Sequence, residues 1–170
     1  MVVDLSAVKG AVGVATTKVQ VVQNLAQDTE SSTIVKGGAA ANYITIDGHA
    51  GAVGTGQTIT YYGQTGADTV TLTGAYTSST IYAEAGDDII TGAAGVDTIN
   101  GGAGADIIYG NAGNDIITAG EGIDAIAGGA GADTINLTET TSVADYITFL
   151  SLNDGSLAGL VGGTFTGYDV

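Results

Sequence analysis

A nine-residue repeat is the feature that most constrains the fold of this chain. Residues 83–136 divide without gaps into six units: AEAGDDIIT, GAAGVDTIN, GGAGADIIY, GNAGNDIIT, AGEGIDAIA and GGAGADTIN. Position four is Gly, position six is Asp and position eight is Ile in all six units. The first six residues of a unit favour a turn, and the last three favour a short strand. The pattern therefore predicts one turn and one short strand per nine residues.

One buried Ile per unit is too little to form a core alone. Stacking the units would align these side chains into a continuous ladder, as in other repeat proteins. Two units complete one coil in this interpretation, so unit n lies above unit n+2, about 4.8 Å away as in any sheet. The repeats therefore predict an all-β chain folded as a parallel β-solenoid. The predicted ladder consists of Ile90, Ile99, Ile108, Ile117, Ile126 and Ile135.

The same stacking places the position-six aspartates in two columns. Carboxylates stacked at the spacing of neighbouring strands repel each other unless a cation lies between them. Calcium accepts six to eight oxygens in flexible geometry from carboxylates and backbone carbonyls, whereas magnesium requires a stricter octahedron. We therefore predict about four or more calcium ions between successive coils. The columns are Asp88, Asp106 and Asp124 on one side and Asp97, Asp115 and Asp133 on the other.

Turn glycines can supply the remaining ligands, because their carbonyl oxygens are free to point at an ion. An Asp–Gly turn also forms without metal, since Asp can accept hydrogen bonds from its own backbone. That alternative leaves two columns of unpaired charge, so the metal interpretation is preferred. The predicted carbonyl ligands lie near Gly86, Gly95, Gly102, Gly104, Gly113, Gly122, Gly129 and Gly131.

The distribution of charge supports a cation from outside the chain. The net charge is −15, and the three lysines all lie at or before Lys36. Only three of the 18 acidic residues precede residue 37. The other 15 lie in a part of the chain that has no lysine or arginine. Nucleic acid and anionic membranes are poor partners for such a surface. No apolar run approaches the 18 or so residues of a membrane span, so membrane insertion is not expected.

The repeats resemble the RTX (haemolysin-type) calcium-binding nonapeptide G-G-x-G-x-D-x-U-x, in which U is a large apolar residue. Residues 101–109 and 128–136 match it fully, and the other four units depart only at positions one and two. The resemblance implies a right-handed parallel β-roll with calcium held by Asp side chains and turn carbonyls. It also implies a secreted bacterial protein exported by the type I route.

The repeat weakens on both sides of residues 83–136. Residues 63–71 keep the Asp, so Asp68 is predicted as a weaker metal ligand. We expect a capping or linker segment over 1–36 and degenerate solenoid coils over 37–82. Residues 137–170 are expected to form a C-terminal cap that is truncated or part of a secretion signal region. The bulky residues that suggest this cap are Tyr146, Phe149, Phe165 and Tyr168.

No catalytic arrangement is visible, and the chain is not expected to be an enzyme. His49 is the only His, and Ser156 is wrongly placed for a nucleophile elbow. Position seven should point outward, which exposes a pair of isoleucines on one face. Such a pair is either a contact surface for self-association or an ordinary exposed surface. The position-seven residues are Ile89, Ile107 and Ala125 on one face and Thr98, Ile116 and Thr134 on the other.

Three functions share this chemistry. The first is a calcium-dependent structural domain of a secreted bacterial surface-layer or cell-surface protein, in which calcium drives folding and assembly. The second is the C-terminal calcium roll of a type I-secreted protease, lipase or toxin. The third is an adhesin module. The Thr-, Ala- and Gly-rich sequence with few lysines favours the first function.

Overall fold

The chain folds as a parallel β-solenoid. A computed structural model describes residues 2–4, 16–23, 32–48, 58–74, 76–141 and 143–148. These residues contain strands, turns and irregular segments, but no helix and therefore no helix that could cross a membrane. All of their paired strands run parallel and form two seven-stranded sheets. The predicted fold class is confirmed.

Successive strands alternate between the two sheets, so each strand pairs with those two places away in sequence. The odd sheet contains β1 (Val2–Asp4), β3 (Ser32–Lys36), β5 (Thr58–Tyr62), β7 (Ser78–Ala85), β9 (Val96–Ala103), β11 (Ile116–Glu121) and β13 (Thr134–Asn136). The even sheet contains β2 (Thr16–Gln23), β4 (Ala41–Gly48), β6 (Thr69–Thr73), β8 (Ile89–Thr91), β10 (Ile107–Ala112), β12 (Ala125–Ala130) and β14 (Tyr146–Ile147).

The register within the repeats follows the predicted stacking of unit n on unit n+2. Ile107 pairs with Ile89 on one side and with Ala125 on the other. The odd sheet has the same step, because Ile116 pairs with both Thr98 and Thr134. Position-eight isoleucines consequently face inward in every repeat, whereas Ile89, Ile107 and Ile116 point outward. The predictions for positions seven and eight are confirmed.

The core is thicker on the N-terminal side than in the repeats. Each repeat buries one large side chain, its position-eight Ile. Strands β4, β5 and β6 each bury two. Full burial of one such side chain contributes about 1.5–3 kcal/mol, so the N-terminal coils gain more from the hydrophobic effect than the repeats do. The three buried pairs are Ile44 and Ile46, Ile59 and Tyr61, and Val70 and Leu72.

The solenoid extends into both flanking segments. Strands β1, β2 and β3 pair within the two sheets, so the strands described before residue 37 already belong to the solenoid. On the C-terminal side Leu137 is buried and β14 pairs with β12. Phe149, Phe165 and Tyr168 lie outside the described residues, as does His49. The division of the chain into four segments stays a prediction.

The position-four glycines allow successive turns to stack closely. Gly104 has a φ of +139°, and a Cβ there would collide with the carbonyl oxygen of Gly86 in the preceding coil. Position two also adopts left-handed φ in most units, with φ of +114° at Gly102. Glu84 and Asn111 occupy the same position with φ of 76° and 78°. Left-handed backbone costs a residue with a Cβ roughly 1–2 kcal/mol, so position two is strained in these two units.

Replacing Glu84 with Gly should therefore stabilise the calcium-loaded protein. We expect Glu84→Gly to raise the free energy of unfolding by about 1 kcal/mol, because Gly adopts left-handed φ without a Cβ clash. Denaturant unfolding at constant calcium measures the change. Glu84→Ala is the matched control, because it removes the same carboxylate and keeps the strained backbone. Equal stabilisation by both variants would attribute the effect to charge instead.

Candidate metal centre

The predicted aspartate columns are present, and all of their members except Asp133 are buried. Asp88 donates its backbone N–H to Oδ1 of Asp106 at 2.9 Å, and Asp106 donates to Oδ1 of Asp124 at 2.8 Å. These partners lie 18 residues apart, as the repeat requires. The long column contains Asp68, Asp88, Asp106, Asp124 and Asp145, and the short column contains Asp97, Asp115 and Asp133.

The second carboxylate oxygen lacks a partner along most of the long column and in the middle of the short one. Oδ1 accepts the backbone N–H of the preceding coil, but Oδ2 is buried without a hydrogen-bond partner in five of these aspartates. A buried carboxylate without a compensating group is costly, so it binds a cation or takes up a proton. The unpartnered atoms belong to Asp88, Asp106, Asp115, Asp124 and Asp145.

The electrostatics of the columns show the same need for positive charge. Burial, together with the negative charge of neighbouring aspartates, raises the pKa of Asp106 to about 7. The same causes raise the pKa of Asp115 to about 7 and that of Asp88 to about 6. Without metal, the middle of each column therefore retains protons close to neutral pH.

The position-one glycines leave a small space into which oxygens converge. A Cβ placed on Gly101 would lie 2.5 Å from Oδ2 of Asp106 and closer still to the carbonyl oxygen of Ala119, one coil away. At Gly110 the same position lies 2.5 Å from Oδ2 of Asp115 and close to the carbonyl of Gly128. A carboxylate oxygen and a carbonyl oxygen of the next coil therefore converge beside these glycines, and calcium accepts oxygens of both kinds.

Side chains alone are too few to hold a metal ion. Among the residues that the structure describes, no three acidic, His or Cys side chains cluster tightly enough to do so. An ion in this space therefore needs backbone carbonyls, as the turn chemistry predicts. The units of Asp88 and Asp124 have Ala83 and Ala119 at position one, so they carry a methyl group where the other four units have glycine.

The structure places several of the predicted carbonyl ligands. The carbonyl oxygens of Gly86, Gly95, Gly104 and Gly113 each face the position-four glycine of the next coil, and that of Gly102 faces Gly120. Since these oxygens point along the stack, they border the gap between coils. The ligand roles of all eight glycines stay predictions, as does the assignment of each ion to particular residues.

Two predicted ligands have a different environment. Asp68 accepts a hydrogen bond at Oδ2 from the Tyr61 hydroxyl, 2.9 Å away. Asp97 accepts one at Oδ2 from the backbone N–H of Ala93 at 2.7 Å and one at Oδ1 from the Ser79 hydroxyl at 2.7 Å. In Asp68 and Asp97, Oδ2 therefore has a protein donor, whereas Oδ2 of the aspartates in the middle of each column has none.

Asp145 was missed as a site residue by sequence reasoning. It extends the long column, because Asp124 donates its N–H to Oδ1 of Asp145 at 3.0 Å and Tyr146 pairs with Ala125. The signal was the Asp-x-Ile remnant at Asp145 and Ile147. It was obscured because the spacing from Asp124 is 21 residues and Val143 replaces the position-four glycine.

Two parallel sheets joined by glycine turns that bury columns of aspartate define a metal-binding β-roll. Residues 62–138 match the family model of the RTX calcium-binding nonapeptide repeat in four overlapping copies, over 62–99, 73–108, 91–126 and 109–138. This segment therefore consists of RTX repeats, and it binds calcium through them. Neither a curated protein nor a solved structure matches the chain.

The calcium-free protein should be more stable in acid than at neutral pH. The folded pKa values of Asp88, Asp106 and Asp115 lie above the ordinary value of 3.8. Their protonated forms therefore favour the fold below about pH 4, and this stability is lost as the pH rises through about 6–7. In EDTA, the thermal unfolding midpoint should be lower at pH 8 than at pH 4. Saturating calcium at pH 8 should restore it, and a midpoint in EDTA that rises with pH would contradict the prediction.

Asp106 should contribute more to calcium binding than Asp133. Asp106 has aspartates on both sides in its column, and its Oδ2 shares the space at Gly101 with a carbonyl of the next coil. At Gly128 the three nearest atoms all belong to Asp133 itself. We expect Asp106→Asn to reduce the number of bound ions or the affinity more than Asp133→Asn, by about tenfold in affinity. Calorimetric titration with ion counting measures both, and equal effects would argue against stacked sites.

Proposed function

We propose that the chain is a calcium-dependent structural β-roll of a secreted bacterial protein, best suited to a surface-layer or other cell-surface protein. It is not an enzyme in this proposal, and calcium drives both its folding and its assembly. The observation that carries the proposal is the set of five buried, unpartnered carboxylate oxygens. They make the stacked repeats depend on a cation that is scarce inside cells and abundant outside.

Calcium-controlled folding suits export. In the low-calcium cytoplasm the aspartates of each column repel one another, and the single Ile of each repeat offers little compensation. Extracellular calcium modules bind with dissociation constants of about 10⁻⁴–10⁻³ M, which matches the concentration outside cells. A site at one to ten times its dissociation constant adds about 0.4–1.4 kcal/mol to the stability of the fold. Several such sites are enough to decide whether a thin-cored repeat folds.

The even sheet offers a surface for assembly. The outward positions of β6, β8, β10 and β12 carry no charged residue, although the net charge of the chain is −15. Ile89, Ile107 and Tyr109 are 42%, 36% and 45% exposed on this surface, and Tyr146 follows at its edge. Because these four strands contain no carboxylate at any position, two such faces can approach without opposing like charges. Exposed apolar patches of this kind mark contact surfaces.

Assembly should therefore require both calcium and this face. We expect the protein to form large assemblies when millimolar calcium is added, detected by light scattering. Ile107→Lys should prevent assembly, or require at least about tenfold more protein, because a charge would be buried without a partner. Ile123→Lys is the matched control, since Ile123 is 53% exposed but lies in a turn. The control should assemble as the parent does.

The outcomes separate the candidate functions. Calcium counts for both variants should equal that of the parent, which shows that the metal sites are intact. Equal assembly by Ile107→Lys and the parent would exclude the even-sheet face. A parent protein that binds calcium and stays monomeric would contradict the assembly role, and would favour the roll of a secreted protease, lipase or toxin.

A further inference from the structure

Both aspartate columns end on their N-terminal side in hydrogen bonds from the protein. In the long column Asp88, Asp106, Asp124 and Asp145 have an unpartnered Oδ2, whereas Asp68 does not. In the short column Asp115 has an unpartnered Oδ2, Asp97 accepts a hydrogen bond there from Ala93, and Asp133 at the C-terminal end is only partly buried. The change from unpartnered to partnered oxygens therefore occurs at corresponding ends of the two columns.

Tyr61 and Asn42 surround the carboxylate of Asp68. The Tyr61 hydroxyl donates to Oδ2 at 2.9 Å, and Tyr61 is fully buried. Asn42 donates twice to Oδ1, from its backbone N–H at 2.8 Å and from Nδ2 at 2.9 Å. Asn42 is held in turn by Nδ2 donation to the carbonyl of Gly38 at 3.1 Å. Three hydrogen bonds thus satisfy the carboxylate oxygens of Asp68, which in a metal-bound aspartate would be satisfied in part by the ion.

The short column ends in a different way with the same result. Ser79 stands at the register position of an aspartate, because it pairs with Asp97 in adjacent strands of the odd sheet. Its hydroxyl donates to Oδ1 of Asp97, and the N–H of Ala93 donates to Oδ2. The turn before Asp97 also differs from the others, because Gly95 lacks left-handed φ and stacks on the carbonyls of Tyr76 and Thr77. The preceding coil therefore offers Asp97 no nonapeptide turn.

The hydrophobic core is larger around Asp68. Strands β4, β5 and β6 each bury two large side chains, whereas each repeat that follows buries one. Asp97 lies in β9, beyond this change, where Ile99 is the one large buried side chain. Two independent features therefore make the coil of Asp68 less dependent on a cation.

We infer that hydrogen bonds from Tyr61 and Asn42 to Asp68, and from Ser79 and Ala93 to Asp97, replace calcium at the N-terminal end of the two columns. The coils from β3 to β7 consequently stay folded when calcium is removed, and present a finished edge on which the repeats fold as calcium binds. Asp68 and Asp97 are then not calcium ligands, in contrast to the prediction from sequence. This inference rests on the proposed calcium-driven folding of the repeats.

Hydrogen exchange of the full chain tests the inference strand by strand. In EDTA at neutral pH, amides of β5 and β6 should remain protected, whereas protection in β10 and β12 should fall by on the order of a hundredfold. Calcium should restore β10 and β12. If β5 and β6 lose protection together with β10 and β12, the inference is wrong but calcium-driven folding stands. If all four strands stay protected in EDTA, calcium-driven folding itself is wrong.

Tyr61→Phe tests the hydrogen bond directly. It removes the donor to Oδ2 of Asp68 and retains the ring, so a buried oxygen loses its partner. In EDTA we expect exchange in β5 and β6 to be faster than in the parent by about tenfold or more, with protection restored by calcium. Tyr62→Phe is the control, since Tyr62 lies on the outer side of β5 and stacks on Tyr82. Parent-like exchange in Tyr61→Phe would overturn the inference.

Ser79→Ala provides a milder test at the other column. It removes the hydroxyl donor to Asp97, and Ser78→Ala next to it is the control. Exchange in β7 should become faster in EDTA for Ser79→Ala alone, and calcium should reverse the change. This variant decides the matter if Tyr61→Phe fails to fold even with calcium. Exchange in β7 that is unchanged in Ser79→Ala would then overturn the inference.

Discussion

The fold depends on stacking buried carboxylates one coil apart. Each Oδ1 accepts a backbone N–H from the preceding coil, so the aspartates hold successive turns together. The same arrangement buries Oδ2 and brings like charges close to one another. The residue that joins the coils is therefore also the residue that forces them apart. A divalent cation between the coils would resolve this conflict, so a Gly-rich chain with a small core can use calcium as part of its interior.

Much of this architecture could be predicted because the repeat fixes it several times over. Six identical spacings of Gly, Asp and Ile determine strand direction, register and the inward face. The ends of the columns could not be predicted in the same way. Asp145 is displaced by three residues from the repeat spacing, and the partners of Asp68 come from Asn42 and Tyr61, 26 and 7 residues away. Such contacts depend on how unlike coils are placed in space, which no local period encodes.

Departures from the nonapeptide also differ in their consequences. At position two Glu84 and Asn111 adopt the left-handed backbone that Gly would adopt more easily, so the turn survives with some strain. At position one Ala83 and Ala119 place a methyl group where the glycines leave space beside an aspartate oxygen. The first change affects the backbone, and the second affects the surroundings of a ligand. Units that look equally degenerate in sequence therefore differ in which part of the turn their substitutions affect.

Stability along the solenoid appears in two forms that complement each other. Strands β4, β5 and β6 each have two large buried side chains, and Tyr61 and Asn42 satisfy Asp68 beside them. The repeats have one buried Ile per strand and unpartnered oxygens. Each coil contacts only its neighbours, so its stability depends mainly on its own core and on those neighbours. One chain can therefore contain calcium-independent and calcium-dependent coils. The folded N-terminal coils give the calcium-dependent coils a preformed edge on which to stack. Calcium binding therefore does not have to offset the conformational entropy of ordering that first coil.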